Sequence, residues 1–175
     1  MDNLILVDSA DKEIGHDSKE NCHLLPTKLH RAFSIFIFSK GKMLLTKRSS
    51  LKKTWPGFWT NTCCSHPRKG EKIEDAVKRR LKEEMGFTCD LKYLFKFEYK
   101  ADFDDKYGEN ELDSVFIGVY DGDIKPDKNE VEEWKFVDVN ELRKDVGNNP
   151  DKYSPWFKLC FEKVLDYAEE NNYFE

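Results

Sequence analysis

The segment Trp59–Glu84, WTNTCCSHPRKGEKIEDAVKRRLKEE, concentrates the residue types that do chemistry on anions. A loop carrying Glu71 runs into a helix carrying Glu83 and Glu84, and this places several carboxylates where a hard divalent cation could bridge them to a diphosphate. Just upstream, Thr46–Lys53 reads TKRSSLKK, four cations without an acid, and Arg79-Arg80 add a second basic pair. Such clusters suit a small anionic ligand, although the ordinary fate of a basic run is a solvated loop. Glu109 and Glu111 stand two apart, so on extended chain both face the same side. Cys63 and Cys64 are adjacent and must then face opposite sides, so at most one can act as a nucleophile or base. A single histidine is more often solvated or packed than ligating. His23 and His30 therefore count for little one at a time, and His16 reads as a surface residue.

The elements that must position these groups alternate between strands and helices. Ala32–Phe38 (AFSIFIF) is β-branched and aromatic, Ser39–Lys42 reads as a hairpin turn, and Met43–Arg48 as the returning strand. Pro56 and Gly57 exclude a regular helix at Trp55–Trp59. A helix is predicted over Ile73–Met85, ended by Gly86. Leu91–Tyr99 and Leu112–Tyr120 read as strands, Val137–Lys144 as a short helix, and Pro155–Glu170 as a longer amphipathic helix opened by Pro155. Strands interspersed with helices give an α/β (α+β) class, a mixed sheet flanked by helices.

Composition narrows the partners. The 175 residues suffice for one domain with a core, which 13 phenylalanines make aromatic. Five cysteines without framework spacing, and no secretory pattern at the start, predict free thiols in a cytoplasmic protein. A net charge of −5 argues against nucleic acid, and no apolar run could span a membrane.

Glu71, Arg79, Leu81, Glu83, Glu84, Gly86 and Phe87 match the Nudix signature, with Ser65 in place of its first glycine and Arg80 in place of the glutamate after the arginine. Losing that acid argues against ordinary Nudix diphosphohydrolysis of a nucleotide or isoprenoid diphosphate, the rival reading. The departures, with Asn21-Cys-His23, Leu29–Ser34, Arg48 with Lys52, Pro56-Gly57, Thr60–Pro67, Gly108–Glu111 and Ser154-Pro-Trp156, make the chain closely resemble type 1 isopentenyl-diphosphate isomerases, a Nudix-fold family, along essentially its whole length.

The resemblance implies a single Nudix-type α/β/α sandwich over residues 1–175, with roughly the first thirty (about 1–30) as an N-terminal extension supplying metal and substrate ligands. It implies a monomer acting on a small-molecule diphosphate, with no nucleic acid, membrane, flavin or nicotinamide. His23, His30, His66, Glu109 and Glu111 match the ligands of a divalent metal of zinc or manganese type. Glu84 and the main-chain carbonyl of Cys64 match a magnesium site. Lys19, Arg48, Lys52 and Arg80 match the cations that grip the diphosphate. Glu111, assisted by Tyr99, matches the acid that protonates C4 of the alkene, and Cys64, as thiolate, the base that removes a proton from C2. Trp156 matches an aromatic lid that stabilises the intervening tertiary carbocation, a cation–π contribution of about 2 kcal/mol when desolvated.

Overall fold

The computed structural model describes residues 3–174. The chain opens with a hairpin, β1 (Asn3–Val7) and β2 (Glu13–Ser18), followed by a one-turn helix α1 (Lys19–His23) capped by the Ser18 side chain. The hairpin of β3 (His30–Ser39) and β4 (Lys42–Arg48) follows, then two short strands, β5 (Trp59–Thr60) and β6 (Cys63–Ser65). Helix α2 (Ile73–Met85) leads to the long hairpin of β7 (Leu91–Asp102) and β8 (Gly108–Val119). Strand β9 (Val131–Asp138), α3 (Val139–Asn148), a 3-10 turn at Pro150–Lys152 and α4 (Pro155–Glu170) complete it.

The strands form one mixed sheet in which β3 and β8 pair in parallel from His30 opposite Glu111 to Phe38 opposite Val119. Period-two alternation divides the sheet's apolar residues between two cores. Phe36, Phe38, Met43, Leu45, Val115 and Ile117 face α4, which buries Phe157, Phe161 and Val164 against them. Phe33, Ile35, Ile37, Leu44 and Phe116 face α2, packing on Ala76, Val77, Leu81 and Met85. Helices on both faces of a mixed sheet are the sandwich the sequence predicts, and the core is aromatic as expected.

Both long helices fall where the pattern places them. Gly86 ends α2 at φ +82°, and a Cβ there would stand 2.7 Å from the Lys125 carbonyl oxygen, so only glycine fits. The Val137–Lys144 helix is corrected: Val137 and Asp138 close β9, and α3 begins at Val139 because the Asp138 side chain caps the backbone N–H groups of Asn140 and Glu141. All five cysteines are free, and no helix of the described residues is long and apolar enough to cross a membrane. His16, read as a surface residue, is half-buried, with Nε2 2.9 Å from Glu13.

Candidate functional site

Alternation also decides which polar groups meet. His30 and Ser34 on β3, and Glu109, Glu111 and Asp113 on β8, lie on the face that further along packs against α4, and the parallel register sets His30 beside Glu111. Strand β6 pairs antiparallel with β3, placing Cys64 opposite Ser34. Cys63 faces the α2 core while Cys64 packs at the edge of the α4 core. One cysteine of the pair therefore reaches the site, as the alternation argument requires.

His23, His30, His66, Glu109 and Glu111 converge, each offering one ligand atom with all five within 4.8 Å of one another. The donor set fits a divalent cation on its own hydrogen bonding. Nδ1 of His23 lies 2.7 Å from the Lys19 carbonyl and Nδ1 of His30 2.7 Å from the Lys28 carbonyl, so each donates its ring proton outward and turns Nε2 inward as a lone pair. His30 Nε2 and Glu109 Oε2 are buried without a hydrogen-bond partner, although His23 Nε2 lies 2.8 Å from that oxygen. Close approach without hydrogen-bond alignment is what ligands aimed at a common centre show. Burial holds His66 well below its usual pKa, hence neutral, as a ligating imidazole must be.

Glu111 carries two connections. Oε1 lies 2.9 Å from His66 Nε2, while Oε2 accepts a 2.6 Å hydrogen bond from the Tyr99 hydroxyl. Burial opposes its ionisation, while His30 and His66 lower its carboxyl when their rings carry a proton toward it. Across the cavity, Cys64 Sγ donates to Asn61 Oδ1 at 3.0 Å and accepts from Trp156 Nε1 at 3.1 Å. Burial, with Asp113 nearby, pushes the Cys64 thiol up to about 12 against the opposing pull of Arg48. Burial thus favours the neutral thiol at Cys64.

Trp156 lines the cavity beside Cys64. It is buried, its N–H is engaged by Cys64, and Trp55 meets it edge-on with ring centroids 5.6 Å apart. A cavity of about 300 Å³ lies between these groups, lined also by Lys19, Arg48, Lys52 and Tyr99. Arg48 is held by the Thr54 and Trp55 carbonyls, with its guanidinium carbon 5.0 Å from the Trp156 ring centroid. At the mouth, Glu20 accepts a hydrogen bond from Tyr107 and pairs with Lys53.

Two predicted residues stand apart from that cavity. Arg80 is engaged by Ser65, Glu83, Glu84 and Glu130, the last through Nη2 at 3.0 Å. Glu84 is buried at the α2 side, 2.5 Å from Arg80. Three further residues were given no role from the sequence. Asn61 orients the thiol, and Asp113 is buried behind it, accepting from Ser34 at 2.7 Å. Glu130 joins Arg80 to Lys52. The TNT stretch around Asn61 marks it only through the resemblance, and Glu130 sits in an unremarkable charged run.

Residues 28–157 match the family model for the NUDIX domain. Isopentenyl-diphosphate Delta-isomerase 1 of Aromatoleum aromaticum is 46% identical over 97% of this chain and 96% of its own. Isopentenyl-diphosphate Delta-isomerase 2 of Photorhabdus laumondii is 47% identical over 89% of this chain and 88% of its own. In fold, the chain is similar to a MutT protein from Methanosarcina mazei, with a TM-score of 0.65 at 21% identity, over 82% of this chain and 95% of that one.

Proposed function

From the premise that the chain belongs to the Nudix superfamily and, within it, to the isopentenyl-diphosphate Delta-isomerases, we propose that it converts isopentenyl diphosphate to dimethylallyl diphosphate by protonation and deprotonation at the Glu111–Cys64 cavity. The reading rests on one arrangement above all: a Tyr99–Glu111 pair at 2.6 Å and a Trp156–Cys64 pair at 3.1 Å lining a single cavity. An unactivated alkene has no carbonyl to acidify its C–H bonds, so protonation at C4 must come first. The positive charge then rests on tertiary C3, and loss of a proton from C2 completes the new double bond. Glu111, with Tyr99 on its Oε2, supplies the first proton, and Cys64 Sγ accepts the second. Water must stay out while the cation lives, and the aromatic walls Trp156, backed edge-on by Trp55, and Tyr99 serve that end. Their faces attract positive charge and offer no nucleophile that would be alkylated.

The raised Cys64 thiol has a consequence for the cycle. A neutral Cys64 and an ionised Glu111 are what the forward reaction leaves behind and what the reverse reaction begins from. Each forward turnover then needs one proton returned from the Cys64 side to Glu111. The Trp156 N–H and the Arg48 guanidinium are the groups that favour the thiolate this requires.

His23, His30, His66, Glu109 and Glu111 would hold a divalent ion of zinc or manganese type, which supplies positive charge that tunes the Glu111 carboxyl. Glu84 and the Cys64 carbonyl would hold magnesium, which supplies countercharge to the diphosphate. Lys19, Arg48 and Lys52 supply the remaining grip, and Arg80 joins them only by releasing partners it now holds. Residues 1–175 act as one unit, the N-terminal segment contributing Lys19, His23 and His30, and the enzyme works as a cytoplasmic monomer.

Proton NMR of isopentenyl diphosphate in deuterium oxide, with magnesium and zinc or manganese, tests this directly. Dimethylallyl methyl signals with deuterium incorporation are expected. Phosphate release without a new alkene signal would make the chain a hydrolase and defeat the proposal.

A further inference from the structure

Glu130 lies outside every motif, yet its carboxylate joins two of the four cations assigned to the diphosphate. Oε2 pairs with Lys52 Nζ, and Oε1 accepts from Arg80 Nη2 at 3.0 Å. Its position is set by three elements. The Glu130 carbonyl accepts from Ser49 N at 3.1 Å, which ties it to the turn carrying Lys52. Its N–H donates to the Asp127 carbonyl, while Asp127 N donates to the carbonyl of Glu84 at the end of α2. Glu130 also lines a small cavity of about 120 Å³ with Lys19, Arg68, Arg79 and Arg80, and this cavity shares Lys19, Ser65 and His66 with the main one. An acid placed there opposes the binding of an anion, so its presence calls for an explanation.

Electrostatics supplies one. Lys52 and Arg80 are largely buried, and partly desolvated cations this close to Lys19 repel one another unless an anion stands among them. Although burial opposes ionisation, Lys52 and Arg80 hold the Glu130 carboxyl down to about 2, so it stays charged throughout the working range. Arg80 has Nε on Ser65 and Nη1 on Glu83, and its Nη2 is shared between Glu84 at 2.5 Å and Glu130 at 3.0 Å, so Glu130 is the longer contact and the one it can release without dismantling the α2 cluster.

We propose that Glu130 is a built-in stand-in for the substrate's anion, holding Lys52 and Arg80 until the incoming diphosphate displaces it from Lys52. It rests on the isomerase reading above, because that reading makes Lys52 part of the diphosphate grip. Glu130 thereby weakens ground-state binding, keeps the cations in place between turnovers, and helps the product diphosphate leave.

The test is calorimetric titration with inorganic pyrophosphate and magnesium, beside the NMR assay of the wild-type protein. Glu130→Gln should bind pyrophosphate about fivefold or more tightly, because one competing charge is gone. In a Lys52→Met background the same change should give less than about a twofold gain, since the cation it competed for is absent. Should Glu130→Gln fail to fold, Glu130→Asp answers the question, as its shorter chain loosens the Lys52 contact and should tighten binding about twofold. Unchanged or weaker pyrophosphate binding in these variants would overturn the proposal. So would an equal gain without Lys52, which would reduce the effect to long-range charge. Failure of the wild-type protein to bind pyrophosphate or to isomerise would instead overturn the isomerase reading, and the Glu130 proposal with it.

Discussion

The two faces of the sheet treat buried charge in opposite ways. On the α2 face the ionic groups saturate one another: Arg79 takes both oxygens of Glu71, and Arg80 spans Ser65, Glu83, Glu84 and Glu130. On the face shared with α4, His30 Nε2, Glu109 Oε2 and Asp113 Oδ1 are buried with no hydrogen-bond partner. Unpaired buried polar atoms are costly and persist only where something offsets them. The Nudix helix, which carries most of the recognisable signature, has its ionic groups largely paired with one another, whereas the other face presents buried atoms with no partner among the described residues.

Adjacent cysteines give the sharpest way to break that comparison. Cys64→Ala should lower turnover by about 1,000-fold or more while pyrophosphate still binds, because it removes one of two proton-transfer groups. Cys63→Ala, on the saturated face, should change turnover by less than about threefold, consistent with a packing role alone. Comparable losses in the two variants, measured by steady-state kinetics, would erase the distinction between the faces.

Metal loading comes next in size. His66→Ala should abolish stoichiometric zinc or manganese content by elemental analysis. It should also remove the rise in thermal midpoint, about 5 °C or more, that the ion gives the wild-type protein through binding the folded state alone. A variant that keeps both would show that the convergence of three imidazoles is a packing feature. Tyr99→Phe should act more mildly, lowering turnover about 10- to 100-fold with metal content intact, since it deletes only the 2.6 Å hydrogen bond to Glu111. Unchanged turnover would detach Tyr99 from the proton path.

Much of this division was legible in the sequence, and what was hidden follows a physical pattern. Long periodic elements such as α2 and α4 declare themselves, because many residues repeat one choice. Strand β6 is three residues long and β5 only two, too short for any period, yet β6 carries Cys64 to its place. Strand β9, VEEWKFVD, is half exposed and half charged, so it lacks the apolar signal of β3. The parallel register of β3 with β8 joins residues about eighty apart, and no local pattern encodes it. Asn61 and Glu130 are invisible for the same reason: their importance lies in which partners the fold delivers. Trp156 was marked only by the resemblance, and its contacts with Cys64 and Trp55 needed the fold.

The α2 side offers the smallest effect and the one that completes the comparison. Glu71 accepts from Arg79 Nε at 2.6 Å, from Nη2 at 2.8 Å and from the backbone N–H of Arg68 at 2.9 Å, clamping the loop before α2 onto the helix. The hydrogen bonds from Arg79 hold its carboxyl below the usual range, against a smaller opposing effect of burial. A depressed folded-state pKa stabilises the fold above the unfolded value of about 4.3, and that contribution disappears as pH falls through the folded value. Glu71→Gln should therefore cost about 1 kcal/mol near pH 7, the order expected for a partly exposed bidentate pair, and progressively less below about pH 4. Urea midpoints of the two proteins at neutral and acid pH would measure it. Turnover should fall by less than about threefold, because the clamp shapes a loop and touches no reacting atom. If Glu71→Gln instead cost turnover heavily with stability unchanged, the first acid of the signature would belong to the site, and the saturated face would have to be redrawn as part of it.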